Sequence, residues 1–166
     1  MTDRKASWLR IGLQSQRLEF GRGKTVVCEY QVSTARRGAG EENGSQMTPR
    51  GMHVVRARIG AGLPLGAVLV GRRPTGEIWS PRLMKSQPDR DWILSRILWL
   101  SGTEIGRNRL GRVDSMRRYI YIHGTPDIEP MGQAASHGCI RMRNQDVIDL
   151  FDRVVVGTPV NILEEA

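Results

Sequence analysis

Apolar and polar positions alternate over much of the chain, which is the two-residue period of half-buried strands. Leu9, Ile11 and Leu13 alternate with Trp8, Arg10 and Gly12, and Gly21-Arg22-Gly23 then marks a hairpin turn. Thr25–Ser33 (TVVCEYQVS) predicts a second strand with Val26, Cys28, Tyr30 and Val32 on one face. Met52–Ile59 and Leu65–Val70 predict two more around a Gly60-Ala61-Gly62 turn, and Pro159–Leu163 predicts the last. Tyr119–His123 (YIYIH) sets Tyr119, Tyr121 and His123 on one face and Ile120 and Ile122 on the other.

Two segments carry the helical period instead. In Asp91–Leu100, the residues Trp92, Ile93, Arg96, Ile97 and Leu100 recur at spacings of three and four. This predicts a helix over about 89–101, capped by Asp89 or Asp91 and closed by Gly102. In Asn144–Val155, Val147, Ile148, Phe151, Val154 and Val155 form an apolar stripe. Asn144 is the expected cap of a helix over about 144–156, and Asp146 suits the positive end of its dipole. Residues 72–117, rich in Arg, Pro and Gly, read as a cap or insertion leaving the sheet. The pattern as a whole predicts a mainly β fold, a single domain over 1–166 with one or two covering helices.

Composition agrees. The 166 residues are enough to bury a core. The 19 glycines exceed the roughly 12 that ordinary usage would give, and with eight prolines they favour many turns. The net charge of +8 is carried mostly by arginine, whose fork grips carboxylates and phosphates. No basic block is interleaved with aromatics, so a nucleic-acid partner is not expected. No apolar run is long enough for a membrane span. The N-terminal stretch MTDRKASWLRIGLQSQRLEF shows no signal-peptide pattern, and the expected compartment is the cytoplasm, with the periplasm as alternative.

Candidate chemistry lies in Ile122–Asn144 (IHGTPDIEPMGQAASHGCIRMRN), which holds two of three histidines and one of two cysteines. His123 closes a strand, and a polar loop returns the chain to Ser136-His137-Gly138-Cys139. A thiol needs an imidazole nearby to lower its pKa and take its proton. Backbone N–H groups around Gly138 could then hold an oxyanion. Taken alone the pair is only suggestive, and a zinc site using His123, His137 and Cys139 is an alternative that lacks a fourth ligand at the usual spacing. Cys28 reads as a buried inert thiol, His53 as a strand surface or packing residue, and Arg117 and Arg118 as surface charges.

The same segment closely resembles the signature of the L,D-transpeptidase (YkuD-type) catalytic domain. That signature has a strand-end His, a variable loop, Ser/Thr-His-Gly-Cys, a hydrophobic residue, and Arg or Asn. Thr48-Pro49-Arg50-Gly51 also resembles a Thr-Pro-x-Gly turn common in that family. The resemblance implies an L,D-transpeptidase-type β-sandwich or open barrel. It implies Cys139 as nucleophile, His123 as general base and then acid, and the Gly124 carbonyl as orienter of the imidazole, where many relatives have Ser. It further implies an oxyanion hole from the backbone N–H groups of His137, Gly138 and Cys139, with the His137 side chain structural and hydrogen-bonded within its loop. Arg141, Ser136 and Tyr121 are the expected substrate contacts, and neither metal nor cofactor is implied. The implied substrate is a peptidoglycan tetrapeptide or muropeptide, cut at the diaminopimelate–D-Ala bond through a Cys139 thioester, and a carbapenem would be a covalent inhibitor. For a cytoplasmic chain this becomes an L,D-carboxypeptidase in wall recycling. The alternatives are a periplasmic transpeptidase forming 3–3 cross-links or exchanging D-amino acids, and a non-catalytic peptidoglycan-peptide binding protein.

Overall fold

The computed structural model describes residues 6–166; the first five residues of the N-terminal stretch read for a leader lie outside them. Ten strands make one curled sheet: β1 (Ser7–Gly12), β2 (Arg17–Arg22), β3 (Thr25–Gln31), β4 (Gly51–Ile59), β5 (Ala67–Val70), β6 (Arg73–Ile78), β7 (Ile93–Gly102), β8 (Tyr121–Thr125), β9 (Ile140–Arg143) and β10 (Pro159–Leu163). The main path runs β3-β2-β1-β10-β4-β7-β5-β6, with β8 and β9 branching from β7. The β1–β10 and β8–β9 pairs are parallel, and the rest are antiparallel.

The helix expected over 89–101 is strand β7, at the centre of the sheet. It pairs with β4 and then β5 along one edge and with β8 along the other, so that Leu94 lies between Val68 and Gly124. A strand covered on both faces is apolar nearly throughout, so its period disappears. A register shift between Leu94 and Ile97, with Ser95 at φ 70°, adds the offset that imitates a helical spacing. Arg96 is buried there and donates to the Leu63 and Ser95 carbonyls. Segment 72–117 therefore contains the sheet's core strand rather than only an excursion.

The first helix lies earlier, at α1 (Pro81–Ser86). Ser80 caps it by accepting the Leu83 N–H at 3.1 Å, and Pro81 opens it. The second, α2 (Asn144–Arg153), falls where the stripe predicts, ending three residues before 156. Asn144 does not cap it: its side chain turns inward, accepting from Ser95 Oγ at 2.6 Å and donating to the Thr125 carbonyl at 3.0 Å.

α2 lays Val147, Leu150 and Phe151 on one face of the sheet, against Leu98, Leu100, Ile122, Ile140 and Met142. Each such side chain, fully buried, contributes about 1.5–3 kcal/mol. On the opposite face a smaller cluster, Leu69, Ile97 and Tyr121 with Trp99 and Cys139 packed against it, forms a floor. β3 departs from its expected face. A bulge opposite Phe20 and Gly21 leaves Val26 exposed while Tyr30 and Val32 are buried, and Cys28 is half-buried against the Tyr30 hydroxyl. His53 is fully buried between the Gly51 carbonyl and Ser115 Oγ.

Candidate active site

The parallel β8–β9 register decides where the chemistry goes. His123 lies opposite Arg141, and Ile122 opposite Ile140. Because Ile122 and Ile140 belong to the core under α2, their neighbours Tyr121, His123, Cys139 and Arg141 all point away from it. Cys139, one residue before β9, is thus the diagonal neighbour of His123 across the two strands. Both side chains line one cleft of about 590 Å³, together with Arg72, Asp91, Arg118, Tyr119, Tyr121 and Arg141. A larger hollow of about 650 Å³ beside Arg50 and Glu104 is lined by neither His123 nor Cys139.

His123 Nδ1 lies 2.7 Å from the Gly124 carbonyl. A carbonyl only accepts, so Nδ1 carries the proton and Nε2 keeps its lone pair, the form a general base requires. The thiol of Cys139 donates to the Tyr119 carbonyl at 3.2 Å and accepts the Tyr121 N–H at 3.4 Å. Burial holds the His123 pKa below its ordinary value, the Gly124 hydrogen bond opposing it. Burial pushes the Cys139 thiol up to about 11, with Asp91 adding to the rise and the Tyr121 N–H, Arg141 and Arg118 opposing it. The resting pair is therefore neutral imidazole beside neutral thiol. Removing the sulfur from water is the largest cause of the thiol's rise.

Gly138 sits at φ 131°, outside the range of ordinary side chains, and a Cβ there would meet the Met47 carbonyl at 3.3 Å. Its own carbonyl accepts from Thr48 Oγ1 at 2.9 Å, and the same Oγ1 accepts the Ala35 N–H. The Thr48-Pro49-Arg50-Gly51 turn thus braces the loop that carries the sulfur.

The model of the L,D-transpeptidase catalytic domain family (YkuD) matches residues 6–162. The chain belongs to this family. Short segments match curated L,D-transpeptidases. The probable L,D-transpeptidase YbiS of Escherichia coli K12 is 46% identical over 48 residues, covering 29% of this chain and 16% of that protein. The putative L,D-transpeptidase YkuD of Bacillus subtilis is 48% identical over 46 residues, 28% of each. Among solved structures, an L,D-transpeptidase from Mycobacterium smegmatis superposes with a TM-score of 0.59 at 15% identity, over 95% of this chain and 58% of that one. The L,D-transpeptidase LdtMt1 in complex with imipenem gives 0.56 at 17% identity, over 95% and 59%. At such identities the superposition shows a shared fold. The matches span less than two thirds of each of these proteins.

Within this L,D-transpeptidase domain, the structure brings every residue singled out in Ser136–Arg141, with His123 and Tyr121, to the one cleft or its wall. Their parts differ from expectation at several points. Gly138 gives its N–H to Ser136 Oγ at 3.2 Å, leaving His137 and Cys139 as the backbone donors for an oxyanion. Ser136 is buried, its hydroxyl also donating to the Cys139 carbonyl at 2.6 Å, so it braces the loop rather than presenting itself to a substrate. The His137 side chain is exposed at the rim of the cleft. Arg141 pairs with Asp91 at 4.0 Å. Among the described residues no group of three or more His, Cys, Asp or Glu is placed to hold a metal, and no helix is long and apolar enough to cross a membrane.

Four residues escape sequence reasoning. Arg72 and Asp91 reach the cleft from the β5–β6 turn and the start of β7. Arg118, expected as a surface charge, is half-buried and donates to the carbonyls of Gly40, Glu41 and Met47. Asn144 ties the ends of β7 and β8 behind His123. Asp91 and Asn144 gave a signal only as expected helix caps, a part neither plays.

Proposed function

We propose that this domain transfers the acyl group of a peptidoglycan stem peptide through a Cys139 thioester. The observation that carries the proposal is the shared cleft of His123 and Cys139, with Nδ1 of the imidazole tied to the Gly124 carbonyl. As the sulfur attacks the diaminopimelate carbonyl, His123 Nε2 removes the thiol proton. The oxyanion takes hydrogen bonds from the His137 and Cys139 N–H groups. Collapse breaks the C–N bond, and His123 returns the proton to the leaving D-Ala amine. Water then opens the thioester, with His123 again taking and giving the proton.

Water is proposed as acceptor because hydrolysis needs one peptide in the cleft, whereas cross-linking needs a second seated beside it. The activity is then that of an L,D-carboxypeptidase. The setting proposed is the cytoplasm, with soluble tetrapeptides or muropeptides as substrates. Fractionation that finds the native protein only in the periplasm would overturn the setting.

The chemical test is mass spectrometry of tetrapeptide incubated with purified protein, with and without an amine acceptor. The expected products are tripeptide and D-Ala. A dominant amine-exchanged product would replace hydrolysis by transpeptidation. Cys139→Ala abolishes acylation, and His123→Ala lowers it by orders of magnitude. Imipenem, which is bound in one related structure, is expected to add its mass at Cys139. An adduct on Cys28 instead would contradict the assignment of the nucleophile.

A further inference from the structure

Arg72 is placed in a way that its local structure does not reward. It occupies the second position of the two-residue Gly71-Arg72 loop that joins β5 to β6, where Val70 pairs with Arg73. Both loop residues have positive φ, 55° and 63°. Such hairpin loops favour Asn-Gly, Asp-Gly or Gly-Gly, and an arginine in this conformation is uncommon. Its guanidinium carbon stands over two rings, 4.6 Å from the Trp99 centroid and 5.2 Å from that of Tyr119. One nitrogen, Nη1, donates to the Tyr121 hydroxyl at 3.0 Å.

The other cleft cations are already engaged. Arg141 faces Asp91, and Arg118 is spent on backbone carbonyls. Among the described residues Arg72 has no carboxylate within ion-pair distance. Its remaining N–H groups keep the planar fork that matches a carboxylate. Tyr121 links it to the sulfur, since the Tyr121 N–H binds Cys139 Sγ and the Tyr121 hydroxyl binds Arg72. The separation is one tyrosine side chain, the reach of about one to two residues of extended peptide at ~3.3–3.6 Å each.

We propose that Arg72 is the specificity-determining residue of this cleft, its fork binding a carboxylate of the peptide whose carbonyl meets Cys139. The inference rests on the thioester reading for the identity of that peptide. Two carboxylates have the required chemistry: the terminal one of the D-residue and the one on the diaminopimelate side chain. The arginine at the tip of this loop reaches over Trp99 and Tyr119 into the cleft.

Binding to the non-reacting Cys139→Ala protein, measured by calorimetry, separates this inference from the reaction itself. The probes are a diaminopimelate tetrapeptide, its C-terminal amide, and the tetrapeptide with lysine for diaminopimelate. Adding Arg72→Asn is expected to weaken the parent peptide about tenfold to a hundredfold, the scale of a charge-assisted pair. One of the two carboxylate-deleted probes is expected to be indifferent to the substitution, which names the carboxylate. Because asparagine suits the loop, the variant should melt no lower than its parent, and Arg72→Lys should recover only part of the affinity. Equal weakening of all three probes, or none, overturns the inference while leaving the thioester reading intact. Failure of the wild-type protein to acylate, with Arg72-dependent binding preserved, overturns that reading and not this one.

Discussion

Thr48 Oγ1 holds the carbonyl of Gly138 across ninety residues of sequence, at 2.9 Å, one residue before the sulfur. The same oxygen receives the Ala35 N–H at 3.0 Å. One buried hydroxyl therefore fixes two loops that form no regular structure of their own. Replacing it with the isosteric Thr48→Val strands a buried donor and acceptor. A loss of about 1–3 kcal/mol in stability is expected for each group left unpaired. Chemical denaturation measures it, and an unchanged midpoint would mean that water replaces the hydroxyl.

Gly124 should not tolerate a serine. A Cβ there would stand 2.5 Å from the Leu94 carbonyl and 2.6 Å from Asn144 Oδ1. Gly124→Ser is expected to lower the melting temperature and to slow acylation by moving the carbonyl that fixes His123. The overpacking cost is about 1–3 kcal/mol. Combining it with Asn144→Ala, which opens the space, should recover part of the acylation rate.

The Cys139 thiol, raised to about 11, sets the alkaline limb of the pH profile. Alkylation by iodoacetamide should keep accelerating well past the ordinary thiol range near 8.5. Stability follows the same sign. Between the unfolded and folded pKa values the unfolded chain has lost a proton that the folded one keeps, so stability falls as pH rises through that window. Cys139→Ala should flatten that slope, and an inflection of alkylation near pH 7 would refute the neutral resting pair.

On the acid side the two buried histidines, His53 and His123, act together. Burial holds His53 near 4, against hydrogen-bonding by the Gly51 carbonyl. Its contribution to stability is complete above the unfolded value of about 6.5 and is lost as pH falls through the folded value. Melting temperature should drop between pH 6.5 and 4, with the drop diminished in His53→Gln. His123, whose pKa is also lowered, adds to the same slope, so some of it survives the substitution.

Legibility of the sequence divided along physical lines. Asn144–Val155 and Pro159–Leu163 are legible because each has one buried and one exposed face, and a stripe or alternation records that asymmetry. The strand expected over Tyr119–His123 lies two residues later, at Tyr121–Thr125, where both faces are buried and Tyr119 turns at φ 56°. β7 imitates a helix because it is buried on both faces, and Ser95 and Arg96 interrupt its apolar run at a bulge tied to Gly66, Asn144 and Leu63. Cys139 and His123, the proposed nucleophile and base, stand out through residue type and spacing. Arg72, Asp91 and Asn144 do not, since a charge at a turn or an amide at a helix start has the same sequence signature whether it faces solvent or a cleft. The brace formed by Ser136 was hidden for a related reason: a hydroxyl's partners are decided only when the loop closes.

A sulfur that rests protonated, with its hydrogen on the Tyr119 carbonyl, is a poor target for peroxide, which consumes thiolates. The domain would thus ride out oxidising conditions that inactivate enzymes built on a standing ion pair, and its cysteine would be spent chiefly on molecules that bring their own electrophilic carbonyl within reach of His123.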